Sequence, residues 1–205
     1  MEKTERKIRL ETFRSAILAG ICIGIAGFGY LALGGTVGAI LFSFGLLAVV
    51  NYKLKLFTGT AGFFKKGEGL QLLEILAGNI VGCLLVSFLA DVSPLHLDEA
   101  ALKLLSGRLA TGWWKCGLLA IGCGFIMTTV VTFARQGQWI PLLFGVPMFI
   151  VCGFPHCIAD AFYYLAAPAD FLLGNLGSIL LLYVAIVTGN FIGCNVYRTV
   201  LRQKN

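Results

Sequence analysis

Gly78-Asn79-Ile80-Val81-Gly82-Cys83 returns later in the chain as Gly189-Asn190-Phe191-Ile192-Gly193-Cys194. Each phrase lies inside a long apolar run. Glycines four residues apart share one helix face and allow close backbone approach, so the phrase alone could be ordinary helix packing. Its recurrence with the same neighbours points to a duplication. A second correspondence precedes each copy. Phe42-Ser43-Phe44-Gly45, followed by Leu56-Phe57-Thr58-Gly59-Thr60, matches Leu142-Leu143-Phe144-Gly145, followed by Gly153-Phe154-Pro155-His156. The chain therefore reads as one domain over 1–205, built of two repeats at about 12–90 and 109–198.

The surroundings of these phrases set the class. Of 205 residues 58% are hydrophobic and 13% charged, and the mean hydropathy is +0.88. Soluble domains carry about 25% charged residues, so this chain cannot cover a water-facing surface. A soluble enzyme, a disulfide scaffold and a disordered tail are excluded. A membrane-spanning helix needs about 20 mostly apolar residues. Segments near 13–33, 37–63, 70–90, 109–133, 139–166 and 172–197 qualify, predicting an all-α membrane protein of six transmembrane helices. Three spans per half make the halves antiparallel across the bilayer, an inverted repeat. Binding sites in such folds lie near the midplane, where corresponding helices are interrupted. Here those are the second and fifth.

The charges lie mostly in the connections. Lys3, Arg6, Lys7, Arg9 and Arg14 are on an N-terminal arm that runs directly into a full-length apolar stretch, unlike a cleavable leader. Lys53, Lys55, Lys65 and Lys66 surround the second connection, Arg135 the fourth, and Arg198, Arg202 and Lys204 the tail. Of the 16 basic residues only Lys103, Arg108 and Lys115 fall elsewhere. The positive-inside rule then predicts cytoplasmic N- and C-termini in a cell (inner) membrane. Placed so, the net charge of +6 does not point to nucleic acid. Gly34-Gly35 and Gly67-Glu68-Gly69 are expected turns, and Asp91–Gly107 is the longest polar connection, with room for a short amphipathic piece.

Few polar groups fall at membrane depth. Lys53 and Lys55 interrupt the second span, where each lysine would cost about 2.5–3.5 kcal/mol at the bilayer centre and less near an interface. Gly59 and Gly62, flanked by hydroxyls, predict a break there, tolerated where it lines a cavity. Phe42 and Leu46 share a helix face. In the fifth span Pro141, Pro147 and Pro155 remove backbone donors. Phe149 precedes His156 by about two turns, and His156 and Asp160 are spaced to share a face. A titratable pair at this depth is a functional candidate. The seven cysteines form no CxxC pair, and Cys152, His156 and Cys157 are too thin a ligand set for a metal. With no P-loop present, ATP-driven transport has no support, and no cofactor is expected.

Taken in this order, the phrases resemble the formate/nitrite transporter family. Leu56-Phe57-Thr58-Gly59-Thr60 is similar to its Leu-Phe-Thr-Gly/Ser loop. Gly153-Phe154-Pro155-His156-Cys157-Ile158-Ala159-Asp160-Ala161-Phe162 is similar to its Gly-Phe-Glu-His-Ser-hydrophobic-Ala-Asn-Met-Phe stretch, and Gly189-Asn190-Phe191-Ile192-Gly193 to its Gly-Asn-hydrophobic-hydrophobic-Gly. This would be a compact, divergent member. The resemblance implies an aquaporin-like fold, a homopentamer with one pore per protomer, and small monovalent anions as substrates. By motif, Phe42, Leu46 and Phe149 would form hydrophobic constrictions, and Thr58, beside Leu56 in the loop, would face a central His156.

The departures from the family pattern are specific. Gln138 stands where the family has a lysine, Pro155 replaces the acid before the histidine, Asp160 replaces an asparagine, and Lys55 replaces an acid. Lys55 is expected to take over anion attraction, and Asp160 to orient the His156 imidazole. The resulting expectation is a channel or proton-coupled transporter, not an enzyme, for a small anion or its weak acid such as formate, nitrite or hydrosulfide. A pore for ammonia or urea is the alternative.

Overall fold

The computed structural model describes residues 2–65 and 67–201. Lys66, Arg202, Lys204 and the side chain of Lys3, counted above toward orientation, lie outside the described residues. Among the described residues all regular structure is helical: α1 (Glu2–Leu33), α2 (Gly35–Asn51), α3 (Phe57–Thr60), α4 (Gly69–Asp91), α5 (Leu97–Thr111), α6 (Trp113–Arg135), α7 (Ile140–Val151), α8 (Cys157–Leu165), α9 (Ala169–Gly174), α10 (Leu176–Cys194) and α11 (Val196–Val200).

Among the described residues four helices are long and apolar enough to cross a membrane: Arg6–Leu33, Gly69–Asp91, Trp113–Arg135 and Leu176–Cys194. The apolar helices Gly35–Asn51 and Ile140–Val151 are shorter, because the expected second and fifth spans each consist of two helices joined by a non-helical link. Large apolar side chains are also exposed along the outside, among them Leu18, Leu41, Phe44, Leu85, Phe88 and Leu181. Helices that are apolar both inward and outward need a hydrocarbon solvent.

Two close helix pairs frame the molecule. α1 packs parallel to α4: a methyl added at Gly20 would strike the Asn79 backbone, and one at Gly82 the Ile17 carbonyl. α6 packs parallel to α10 by the same device, Gly124 against the Asn190 backbone and Gly193 against the Ile121 carbonyl. The glycine phrases therefore do pack helices, as the simpler reading held, and they do so in matching pairs. α2 lies against α1 and α7 against α6, with Gly45 meeting the Cys22 carbonyl and Gly145 meeting Val130.

Chain direction sorts the ends. Arg9 of α1 pairs with Glu74 of α4, and Arg198 of α11 donates to the Phe64 carbonyl at 2.9 Å, on the face carrying the termini. α5, between the end of α4 and the start of α6, caps the opposite face. It is the amphipathic piece expected in the long connection, though it runs on to Thr111. Asp98 and Glu99 in its first turn and Arg108 in its last suit the helix dipole. Leu97, Ala101 and Leu105 form its buried stripe.

The first break differs from its expected place. Gly59 lies inside α3, and Gly62 is a packing glycine whose added methyl would meet the Cys194 carbonyl. The interruption falls earlier, at Tyr52–Leu56, where Lys53 takes a left-handed conformation (φ 53°). No glycine marks it, so composition pointed to the wrong residues.

Candidate transport site at the two helix breaks

The two breaks are built from corresponding residues. In the first, Tyr52 N donates to Ala48 O (3.0 Å), Lys53 N to Val50 O (3.1 Å) and Leu54 N to Val49 O (2.9 Å). In the second, Cys152 N donates to Met148 O (3.0 Å), Gly153 N to Ile150 O (3.0 Å) and Phe154 N to Phe149 O (2.9 Å). Lys53 thus corresponds to Gly153, which is also left-handed (φ 71°). Leu56 and His156 are the matching extended residues that open α3 and α8. In the second break Pro155 lacks an N–H and biases Phe154 away from helix, so α8 begins only beyond it.

Interrupted helices expose backbone groups that must be satisfied away from water. One buried asparagine does this at each break. Asn79 Oδ1 accepts from Phe57 N (2.9 Å), while its Nδ2 donates to Ala16 O (2.8 Å) and Lys55 O (2.9 Å). Asn190 Oδ1 accepts from Cys157 N (2.8 Å), while its Nδ2 donates to Ala120 O (2.8 Å) and Pro155 O (2.9 Å). The cysteines of the same phrases then cross over: Cys83 Sγ donates to Ile158 O and Cys194 Sγ to Thr58 O, each at 3.4 Å. Neither asparagine was singled out beyond its glycines at the sequence level. Their place in the repeated phrase was the available signal.

The breaks meet at a buried polar contact. Thr58 Oγ1 lies 2.9 Å from His156 Nε2, with both side chains buried. His156 Nδ1 accepts from Ala159 N (3.2 Å), capping α8. A neutral ring whose Nδ1 accepts carries its proton on Nε2, which then donates to the threonine hydroxyl. Phe149 stacks on the imidazole with ring centroids 5.5 Å apart, and Phe42 meets Phe149 edge-on at 6.3 Å. Phe42, Phe149, His156 and Thr58 form one continuous buried row.

Leu46, one turn along from Phe42, and Leu56 border a cavity of about 380 Å³. Lys53, Lys55, Gly59 and Arg135 also line it, and among the described residues no aspartate or glutamate does. Lys55 is exposed there, its backbone held by Ser15 Oγ and Asn79 Nδ2. Arg135 lies over the Phe63 ring at 3.6 Å and donates from Nη2 to Gly59 O at 3.3 Å. Gln138 is exposed in the turn after α6 and is not among the lining residues. The cation at this mouth beyond the lysines is Arg135, which sequence reasoning used only for orientation.

Asp160 takes a different partner from the one expected. Its carboxylate is fully buried and accepts from Arg108 Nε at 3.4 Å; its link to His156 is through the backbone, Asp160 N to His156 O at 2.8 Å. Sharing a helix face did not bring the side chains together, because His156 turns back to cap α8 and to reach Thr58. Arg108 also donates from Nη1 to Gly153 O (2.7 Å). In the sequence Arg108 was only one of three basic residues left outside the expected pattern, and no spacing connected it to Asp160.

Comparisons with known proteins agree with this fold. The formate/nitrite transporter family model matches residues 1–202. Formate-nitrite transporter 3 of Toxoplasma gondii is 26% identical over 91% of this chain, which spans only 45% of that protein. The uncharacterized transporter YrhG of Bacillus subtilis is 27% identical over 81% of this chain and 70% of its own length. Among solved structures, a pentameric formate channel with formate bound superposes with a TM-score of 0.79 at 22% identity, covering 96% of this chain and 97% of that one. An FNT family ion channel superposes at 0.72 with 17% identity, over 98% and 90% of the two chains. This all-helical, multi-pass membrane protein belongs to the formate/nitrite transporter family.

Proposed function

We propose that the chain forms a transmembrane channel or proton-coupled transporter for a small monovalent anion or its weak acid, of the formate, nitrite or hydrosulfide type. The carrying observation is the Thr58–His156 contact, buried among apolar side chains beside a cavity lined by Lys53, Lys55 and Arg135 with no carboxylate among its described residues. The cations raise the local concentration of anions and repel cationic solutes. Beyond Leu46 and Leu56 on one side, and at Phe42 and Phe149 on the other, a bare anion loses its hydration, whereas the neutral acid loses much less. At the centre, His156 Nε2–H and the Thr58 hydroxyl are donors for the anion, and the N-terminal end of α8 carries partial positive charge. If the ring first takes up a proton from the aqueous phase and passes it to the anion, returning to its neutral form, the neutral acid leaves; without that transfer the anion itself would cross.

The architecture proposed with this function has six spans, with α2–α3 and α7–α8 each making one interrupted span, in two inverted three-span repeats of aquaporin-like form. The matching hydrogen bonds of the two breaks support it. We place the termini in the cytoplasm of a cell (inner) membrane, with the cationic cavity as the cytoplasmic mouth. The likeness to a pentameric formate channel supports a homopentamer with one pore per protomer. Purified protein in liposomes, tested with formate, nitrite, hydrosulfide, acetate, ammonium and urea, checks the substrate class. Flux of the acids and not of ammonium or urea is expected. The reverse selectivity would exclude the anion reading.

A further inference from the structure

The α6–α10 pair carries an open trough of about 470 Å³ along its outer side. Trp113 and Trp114 stand at one end, Leu118, Ile121 and Val184 along the walls, and Ile192 at the other end. Gly117 and Gly189 form the floor, where a methyl added at Gly189 would strike the Gly117 carbonyl. The Thr188 hydroxyl in the wall already donates to Val184 O at 2.8 Å, so its proton is placed within its own helix. From Trp113 to Ile121 the wall rises about 12 Å, most of the roughly 15 Å of hydrocarbon in one leaflet.

The matching α1–α4 pair is filled at the same stations. Aligned on Gly20 with Gly124 and on Asn79 with Asn190, Phe13 takes the place of Gly117 and lies against Gly78, the counterpart of Gly189. Arg9 and Glu74 take the places of Trp113 and Ala185, and they pair with each other. Glu11 stands where the second half has Lys115. One half thus closes its helix crossing with a ring and an ion pair. The other leaves it open and apolar, with a cation at the rim.

That cation is exposed, and Lys115 Nζ lies 5.6 Å from the centre of the Trp114 ring. Tryptophan rings and a lysine at a helix start sit at the membrane–water interface. We propose that the trough is a binding site for one anionic phospholipid, with an acyl chain along the Gly117–Gly189 crossing and the phosphate of the headgroup at Lys115. A cation at the interface followed by an unbroken apolar run matches that layout, headgroup outward and chain inward. The chain covers the crossing from which Asn190 reaches Ala120 O and Pro155 O, so the lipid supports the clamp on the second break. The site is independent of what the pore carries.

The test is tryptophan fluorescence of the full chain in phosphatidylcholine vesicles with increasing fractions of phosphatidylglycerol, either lipid carrying brominated acyl chains in turn. Of the three tryptophans Trp139 lies before α7, so a Trp139→Phe background leaves Trp113 and Trp114 as reporters. Quenching should show phosphatidylglycerol preferred about fivefold, the contribution of one lysine near the surface. Lys115→Gln should abolish the preference, whereas Lys103→Gln, which removes an exposed cation of α5, should keep it. Ala185→Phe, which fills the trough, should lower the quenching reached with either lipid, with assembly checked by size-exclusion chromatography. No preference in the unmodified protein, or one that survives Lys115→Gln, would overturn the assignment. Equal losses in Lys103→Gln and Lys115→Gln would mean a diffuse surface effect and overturn it as well. Quenching that is weak with both lipids and rises when the oligomer is dissociated would place a second copy of the chain in the trough instead.

Discussion

The break at Tyr52–Leu56 and the break at Cys152–His156 share a hydrogen-bond pattern, an asparagine clamp and a left-handed residue at the same station, yet their surroundings are opposite. The first opens on a cationic cavity, with Lys53 and Lys55 exposed. The second is packed beneath α5, and Pro155, His156 and Asp160 are buried. Where the backbone of an apolar protein is interrupted, satisfying its polar groups dictates one solution, so that part is the same twice. The side chains around it are free to diverge: cations line the cavity at the first break, and a buried imidazole meets Thr58 at the second.

Removing either clamp should have the largest effect. Asn79→Ala strands the Phe57 N–H and the Lys55 carbonyl, and Asn190→Ala the Cys157 N–H and the Pro155 carbonyl, at about 1–3 kcal/mol for each unsatisfied group. Both variants should lose most of their thermal stability in detergent, by similar amounts. A large loss in one and none in the other would break the equivalence of the halves. Next come the paired glycines: Gly20→Ala and Gly124→Ala force α1 from α4 and α6 from α10, at about 1–3 kcal/mol each, read as lowered Tm.

The left-handed pair sharpens the comparison further. Gly153→Ala should destabilise by about 1 kcal/mol, whereas Lys53→Gly should stabilise by a similar amount, because a side chain is disfavoured at positive φ. Lys53→Gly also removes a mouth cation, so Tm should rise as the affinity for formate falls. Arg135→Gln and Lys55→Gln should have the smallest effect, weakening formate affinity from the face of the termini a few-fold at low salt and less at high salt, since exposed charges are screened. A loss that does not depend on salt would mean that these residues act by packing instead.

Much of this was legible before any coordinates. Apolar runs marked the membrane helices, the repeated Gly-Asn phrase marked the matching pairs, and Phe42, Phe149, Thr58 and His156, singled out by motif, lie in one buried row. What was not legible depends on contacts across long stretches of chain. The first break is made by a lysine in a glycine-like conformation, so residue type pointed downstream to Gly59 and Gly62. Asp160 was paired with His156 by helical spacing, but an arginine from α5, distant in sequence, competes for it and wins on charge. Gln138 stands at the family's lysine position but outside the cavity, whose further cation beside Lys53 and Lys55 is Arg135 at the end of α6. Spacing reports faces of one helix; it carries no information on what a neighbouring connection brings.

The most direct measurement is formate flux, with simultaneous internal pH, in liposomes containing the native protein or His156→Ala. The native protein should carry formate, with flux that rises when the formate side is made acidic and with proton movement accompanying it. In an assembled His156→Ala protein both should fall by at least about tenfold, the loss of one positioned proton-transfer group. Undiminished flux with unchanged pH dependence in that variant would contradict a transport site built on the Thr58–His156 contact.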